Sequence, residues 1–231
     1  MTILNSAGLT KAFGQTIALN KVDLNIEAGR VIGLLGPNGS GKTTFLKLCN
    51  GLLTPTSGSV KIADKAPGVR TKAIVSFLPE DNYFSDWMKV KDMVSFFADF
   101  YKDFDAAKAE DMLITLEIDP AAQIKSLSKG AKEKVQLILV MARKARLYLL
   151  DEPIGGVDPA TRDYILRTII TNYNPEASVI ISTHLIADVE QVLDEVIFLK
   201  EGEIVMHEDV DTIREEKGVS VDQLFREVFK C

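Results

Sequence analysis

The sequence has few cysteines and no long hydrophobic run. Its two cysteines, Cys49 and Cys231, lie toward opposite ends of the 231 residues, without the close spacing of a metal site. Such usage is typical of a reducing compartment. The longest apolar runs, such as VQLILVMA, fall short of the roughly 20 residues that a membrane-spanning helix needs. The start, MTILNSAGLTKAF, lacks the pattern of a secretory signal. We therefore expect a cytosolic protein.

An excess of positive charge is also absent. The formal net charge is −6 and the pI is about 5.1. This balance excludes a protein whose whole surface binds nucleic acid, although a local basic groove would be compatible with it. The 46% hydrophobic and 26% charged residues are ordinary for a globular protein that buries a substantial core. We expect no nucleic-acid partner.

Hydrophobic periodicity predicts an α/β fold. The segment KVDLNIE alternates apolar and polar residues, as a half-buried strand does, and VIGLL is apolar on both faces, as a buried parallel strand is. Similar runs return at AIVSFL, LYLL, SVIIS and VIFL, separated by segments with helical spacing. One amphipathic helix follows Gly130, and Arg143 is predicted to lie off its apolar stripe. Strands that alternate with helices predict a mostly parallel sheet.

Two additions to this core are predicted. The early alternating strands and a late hairpin, VIFLKEGEIVMH, which turns at Glu201 and Gly202, indicate antiparallel strands at the edge of the sheet. Helical patterns without a strong strand run from Asp92 to Ser126, with an exit near Pro120. We therefore expect one domain over residues 1–231, in which residues 90–130 form an inserted helical subdomain.

The segment GPNGSGKT fits the phosphate-loop pattern G-x-x-x-x-G-K-[ST]. Its glycines let successive backbone N–H groups point at phosphate oxygens, and the helix that follows presents the positive end of its dipole. Lys42 would reach the β- and γ-phosphates, and Thr43 would bind Mg²⁺. A glycine-rich turn before a helix is the simpler alternative, but the buried strand before the motif favours a nucleoside triphosphate site. The predicted binding residues are Gly36, Pro37, Asn38, Gly39, Ser40, Gly41, Lys42, Thr43 and Thr44.

Two acids end the apolar run LYLLDEP. The carboxyl ends of parallel strands form the crevice in which ligands bind. Asp151 would hold Mg²⁺ through water, and Glu152 would orient and deprotonate the attacking water. Taken alone, Asp151 and Glu152 could be ordinary acids at the start of a loop. The phosphate loop upstream favours the catalytic interpretation.

The order of these motifs resembles that of an ATP-binding cassette (ABC) ATPase, the nucleotide-binding subunit of an ABC transporter. Phosphate loop, glutamine-loop region, signature, Walker B, D-loop and switch histidine cover nearly the whole chain. The resemblance implies that Phe13 in TKAFG stacks on adenine, that Asp158 in GGVDP crosses to a second subunit, and that His184 in VIISTH contacts the γ-phosphate. From the residues alone, Phe13 could pack against a sheet edge, and Asp158 could cap the helix that starts at Pro159.

The chain departs from the family pattern at two motifs. Glu80 in SFLPED stands where the family usually has glutamine. Its carboxylate would contact Mg²⁺ or water, with a metal contact that survives or strengthens, while the N–H donors of glutamine are lost. The signature, usually Leu-Ser-Gly-Gly-Gln, has Lys129 and Ala131 at its third and fifth positions. Ser128 and Gly130 keep the hydroxyl and the open backbone that phosphate contact needs. Lys129 either points to solvent or adds positive charge near the γ-phosphate. Ser128 also caps the helix that follows.

The segment NYFSDWM lies where family members accept a short helix from their membrane subunit. Phe84, Trp87 and Met88 would either contact that helix or form the hydrophobic floor of the helical subdomain. Tryptophan and methionine are common in both settings.

The resemblance implies Mg²⁺-dependent ATP hydrolysis by a dimer, in which the signature of one subunit completes the phosphate loop of the other. A transmembrane permease subunit and a second ATP-binding subunit, identical or not, are the implied partners. The implied location is cytoplasmic, peripheral on the inner face of the cell membrane. LPED, LSKGAK and GGVDP resemble the bacterial exporter branch. Rival hypotheses are a soluble ABC-type ATPase that acts on DNA or ribosomes, a small-molecule kinase and a regulatory cassette.

Overall fold

The computed structural model describes residues 1–155, 158–174 and 176–229. These residues form two β-sheets with helices packed around the larger one. The strands are β1 (Thr2–Phe13), β2 (Thr16–Glu27), β3 (Val31–Leu35), β4 (Ser57–Ile62), β5 (Val75–Leu78), β6 (Leu147–Asp151), β7 (Ser178–Thr183), β8 (Glu195–Lys200) and β9 (Glu203–Asp209). The helices are α1 (Lys42–Cys49), α2 (Val69–Lys72), α3 (Val90–Phe100), α4 (Ala106–Thr115), α5 (Lys129–Met141), α6 (Pro159–Asn172), α7 (Ile186–Val189), α8 (Val210–Lys217) and α9 (Val221–Phe229).

The larger sheet confirms the predicted mostly parallel arrangement. Its strand order is β5-β6-β7-β3-β8-β9, and every neighbouring pair is parallel except β8 and β9. Strand β7 lies between β3 and β6, with Leu35 opposite Thr183 and Asp151 opposite Ser182. The carboxyl ends of these three strands therefore meet at one edge, where the segments that follow them are brought together.

Both faces of this sheet are covered at its centre, which explains why a central strand such as β3 is apolar throughout. On β6, Leu149 belongs to an apolar cluster shared with α1 and the smaller sheet, while Leu150 belongs to a second cluster shared with α3 to α6 and α9. The same alternation holds on β3, where Leu34 and Leu35 enter different clusters. Because successive side chains point to opposite faces, a strand that is covered on both sides carries hydrophobic residues on both faces.

The early strands form their own sheet. Strands β2, β1 and β4 pair in that order and all antiparallel, so β1 and β2 do not extend the larger sheet as the sequence predicted. Both edges of β1 are occupied by its neighbours, and the buried residues of β2 belong to the apolar cluster that includes α1. The predicted hairpin is confirmed at the edge of the larger sheet, with left-handed backbone at Glu201 and Gly202. Asn20 N donates to Gly202 O at 2.9 Å and joins the two sheets.

Helices α3 and α4 and a 3-10 turn at Ile124–Ser126 occupy the predicted helical segment and lead into α5. The expectation for Arg143 is wrong, since this side chain is buried beyond the end of α5. Its guanidinium donates to Val75 O at 2.6 Å and pairs with Asp103 at 3.0 Å. A buried charge is stable only when it is paired in this way, and the pair ties the helical segment to β5. Within the described ranges, every helix is too short or too polar to cross a bilayer.

Candidate active site

The loop between β3 and α1 requires glycine at two positions. A Cβ on Gly36 would lie 2.3 Å from Leu199 O. Gly41 has a φ of 107°, and a Cβ there would lie 2.5 Å from Ala18 O. Side chains at either position would therefore clash with backbone, and Gly41 also adopts a conformation that other residues avoid. The close approach of this loop to its neighbours holds it at the amino end of α1.

Polar groups that suit phosphate line this loop. Lys42 is buried, and its Nζ donates to Gly36 O at 2.8 Å and to Pro37 O at 3.2 Å. The same Nζ lies 3.5 Å from Oε1 of Glu152. The hydroxyl of Ser40 is buried without a hydrogen-bond partner among the described residues. A helix amino end, an ammonium group and a free hydroxyl together fit the oxygens of a phosphate chain.

Asp151 is the last residue of β6, and only one of its two carboxylate oxygens accepts hydrogen bonds. Its Oδ1 accepts from Thr43 Oγ1 at 3.1 Å and from Ser182 Oγ at 2.6 Å. Its Oδ2 is buried without a partner in the described part of the chain, and burial raises the pKa of this carboxyl. An unsatisfied carboxylate oxygen beside a threonine hydroxyl fits Mg²⁺, which prefers oxygen ligands. The described ranges bring no three His, Cys, Asp or Glu side chains together as a metal cage, so phosphate and water oxygens would have to complete the coordination.

Ser182 was missed by the sequence interpretation and holds both acids. Its hydroxyl donates to Asp151 and accepts from the backbone N–H of Glu152 at 3.2 Å, while its carbonyl accepts from the same N–H at 3.0 Å. Glu152 has a φ of 47°, a left-handed conformation that costs about 1–2 kcal/mol in a residue other than glycine. The signal in the sequence was a hydroxyl at the carboxyl end of an apolar strand.

His184 follows β7 and faces Glu152. Its Nδ1 lies 3.1 Å from both carboxylate oxygens of Glu152. Since a carboxylate only accepts, Nδ1 carries the hydrogen in this contact. Leu185 N donates to Thr183 Oγ1 at 3.0 Å and fixes the turn that holds the histidine. Lys42, Glu152 and His184 thus form a continuous polar chain.

These residues line one cavity of about 890 Å³, here called the first cavity. The predicted site residues that line it are Asn38, Gly39, Ser40, Gly41, Lys42, Thr43, Thr44, Glu80, Asp151, Glu152 and His184. Gly36 and Pro37 contribute carbonyls to Lys42 from behind the loop. Phe13 is 50% exposed at the end of β1 and does not line the first cavity. Lys11 Nζ lies 5.0 Å from the centre of its ring.

The remaining predicted residues line a second cavity of about 520 Å³, namely Ser128, Gly130 and Asp158. Ser128 caps α5 by accepting from Ala131 N at 3.2 Å, and Asp158 caps α6 by accepting from Thr161 N at 3.1 Å. Two residues of the GGVDP motif, Gly156 and Val157, lie outside the described residues. One chain therefore presents the phosphate loop and the signature in different cavities.

Lys129 lies in a different cavity from its neighbours in the signature. It lines the first cavity, whereas Ser128 and Gly130 line the second. Its Nζ lies 3.8 Å from Oε1 of Glu133, one turn along α5. The side chain is largely exposed, so its charge reaches the mouth of the cavity rather than the buried loop.

The residues of the segment NYFSDWM differ in burial, and each of the two alternatives, a hydrophobic floor and a surface for a partner helix, fits some of them. Phe84 and Met88 pack against the larger apolar cluster, as a hydrophobic floor does. Trp87 is 72% exposed.

A mostly parallel sheet that carries a glycine-rich loop, a following helix and an acid on a nearby strand defines a P-loop nucleoside triphosphatase. Residues 19–155 match the family model described as ABC transporter. The ABC transporter ATP-binding protein YtrB of Bacillus subtilis is 32% identical over 90% of this chain and 72% of its own length. The aliphatic sulfonates import ATP-binding protein SsuB of Pseudomonas putida is 33% identical over 92% of this chain and 78% of its own.

A solved ATP-binding subunit of an ABC transporter superposes with a TM-score of 0.86 at 26% identity and covers 99% of this chain and 100% of the solved chain. The chain belongs to the ABC transporter family. It is an ATP-binding subunit, and it is an ATPase.

Proposed function

We propose that the chain works as half of a dimer whose two ATP sites are each shared between subunits. The observation that carries this proposal is the division of the predicted site between two cavities. The first cavity holds Lys42, Asp151, Glu152 and His184, and the second holds Ser128. A second subunit, identical or related, would place its own second cavity over the ATP in the first. ATP then joins the subunits, and hydrolysis lets them part.

In this proposal the chain's own residues bind and orient the triphosphate. The loop amides and Lys42 hold the phosphates, and His184 braces the γ-phosphate. Glu152 accepts a proton from the attacking water, whose oxygen forms a bond to the γ-phosphorus while the bond from that phosphorus to the β–γ bridging oxygen breaks. ADP and phosphate then leave. Asp151 and Thr43 would hold Mg²⁺, with Glu80 as a further contact to metal or water. When bound, Mg²⁺ neutralises charge on the phosphate oxygens.

The finer parts of the proposal concern transport. The chain acts at the inner face of the cell membrane by driving a separate permease subunit, and the motif resemblance favours export. Trp87 supports a protein partner, because a large indole exposed beside a hydrophobic floor is typical of an interface. Because a sulfonate import protein is also similar to this chain, a transport measurement distinguishes export from import.

Two measurements test these proposals. Extraction of native membranes with mild detergent should recover this chain with an integral membrane subunit, and recovery only with DNA or ribosomes would contradict the proposal. In vesicles that carry both subunits, with this chain and ATP outside, an exporter accumulates substrate inside. ATP-driven loss of preloaded substrate would establish import instead.

A further inference from the structure

Gln136 is a buried amide among hydrophobic residues. It is 2% exposed in α5, and the other buried residues of its stretch, Val135 to Met141, are all apolar. Burial of an unpaired amide costs about 1–3 kcal/mol, so a buried glutamine needs a partner. Nε2 of Gln136 donates to the backbone carbonyl of Asp81 at 3.1 Å.

This hydrogen bond ends on the loop that carries Glu80. Asp81 is the next residue after Glu80, and both line the first cavity with Gln136. Within the described ranges, Gln136 provides the one side-chain hydrogen bond to the backbone of residues 79–82. Further along the same connection, Lys132 of α5 lies 3.5 Å from the carboxylate of Asp86, so the hydrogen bond of Gln136 is the contact that α5 makes beside Glu80 itself.

The bodies on either side of the loop are already fixed. Ser76 Oγ donates to Val140 O at 2.9 Å, which joins β5 to α5 in the buried interior. Arg143 donates to Val75 O at 2.6 Å, at the preceding residue of β5. Helix α5 is thus a rigid support for Gln136. The loop that follows β5, residues 79–82, is the part whose position these two hydrogen bonds do not fix.

We infer that Gln136 is a positioning residue that holds the Glu80 loop at the rim of the ATP site through the carbonyl of Asp81. The inference rests on the proposed contact of Glu80 with Mg²⁺ or water. Glutamate at position 80 has only acceptor atoms, so it cannot donate to anchor itself against carbonyl groups as glutamine would. The amide of Gln136 supplies that anchor from α5. The helix that carries Ser128 to the second cavity thereby also sets the geometry of the first.

The first test uses the protein without nucleotide. Gln136→Met keeps the length and volume of the side chain and removes its donor. Ser76→Ala is the matched control, since it removes another buried hydrogen bond between β5 and α5 but leaves the loop untouched. Tyr83 is 48% exposed two residues beyond Asp81 and is a chymotrypsin site. Cleavage after Tyr83 should accelerate about fivefold in Gln136→Met, the effect of one hydrogen bond on local opening, and should stay unchanged in Ser76→Ala. Equal cleavage rates in the two variants would overturn the inference.

The second test measures Mg²⁺ binding by calorimetry with ADP bound. The affinity for Mg²⁺ should fall about fivefold in Gln136→Met, while ADP affinity in EDTA stays within about twofold of the wild type. Gln136→Glu, which replaces the donor with an acceptor, should behave likewise. If Glu80→Ala leaves the affinity for Mg²⁺ unchanged, the proposed role of Glu80 fails, and the inference about Gln136 fails with it. If Glu80→Ala weakens Mg²⁺ binding and both Gln136 variants do not, the positioning role fails.

Discussion

Nζ of Lys42 lies 3.5 Å from the carboxylate of Glu152. The group that the phosphate loop provides for ATP is thus paired with the acid proposed to activate water, and His184 faces the same acid at 3.1 Å. Lys42 and His184 are both proposed to contact phosphate, so the carboxylate of Glu152 would compete with the γ-phosphate for the same two groups.

Replacement of Glu152 by glutamine should separate binding from turnover. Glu152→Gln removes the general base and should lower kcat about 10²–10⁴-fold. It also removes a negative charge near Lys42, so ATP affinity should be retained or increased, and an ATP-dependent dimer should accumulate on gel filtration. Glu110→Gln, an exposed change on α4, is the control. Wild-type turnover in Glu152→Gln would remove this residue from the mechanism.

The shared-site arrangement can be tested by crossing two substitutions in mixed dimers. Ser128→Asn keeps an N-cap for α5 but loses the hydroxyl, and Lys42→Ala disables a phosphate loop. When the two changes lie on different subunits, they should fall in the same shared site and leave the other site active. When both lie on one subunit, each should damage a different site, and activity should fall further. The reverse pattern would mean that each chain completes its own site.

Asp151 should limit the stability of the free protein. Burial raises its pKa above the ordinary value of 3.8, so the folded protein holds this proton more tightly than the unfolded chain does. This contribution to stability is lost as pH rises from 3.8 through the folded-state pKa, and at neutral pH the ionised group destabilises the fold. Asp151→Asn should abolish hydrolysis yet raise Tm by about 2–4 °C for each kcal/mol recovered. Thermal unfolding without Mg²⁺ or nucleotide measures this, with the exposed Asp163→Asn as control; a lower Tm would contradict it.

Lys129 should act on its own subunit's ATP, unlike its neighbour Ser128. Lys129→Ala removes an exposed positive charge at the mouth of the first cavity and should weaken ATP binding there about two- to fourfold at low salt. The difference should disappear at high salt, because exposed charges are screened. Lys125→Ala makes the same charge change outside both cavities. In mixed dimers, a loss at the partner's phosphate loop would show that Lys129 acts across the interface instead.

The parallel core could be predicted because burial on both faces leaves a local mark. Runs such as VIGLL and VIFL are apolar at every position, and a glycine-rich loop between a strand and a helix has few other uses. The separate sheet of β1, β2 and β4 could not be predicted, because alternation shows that a strand is half-buried but does not show which strand it pairs with. The prediction for Arg143 was wrong for a related reason. Periodicity places a charged residue on the exposed face of a helix, but the partners that stabilise this buried charge, Asp103 and Val75, are distant in sequence.

The sequence by itself determined the motifs, their order along the chain and the chemistry available to each side chain. Only the tertiary structure decided which of those side chains meet. Strand β7, placed between β3 and β6, brings Ser182 under both Asp151 and Glu152, and the start of α5 turns Ser128 and Lys129 toward different cavities. Local sequence fixes backbone preference and functional groups, but distances between residues far apart in the chain follow from how the sheet is ordered and packed.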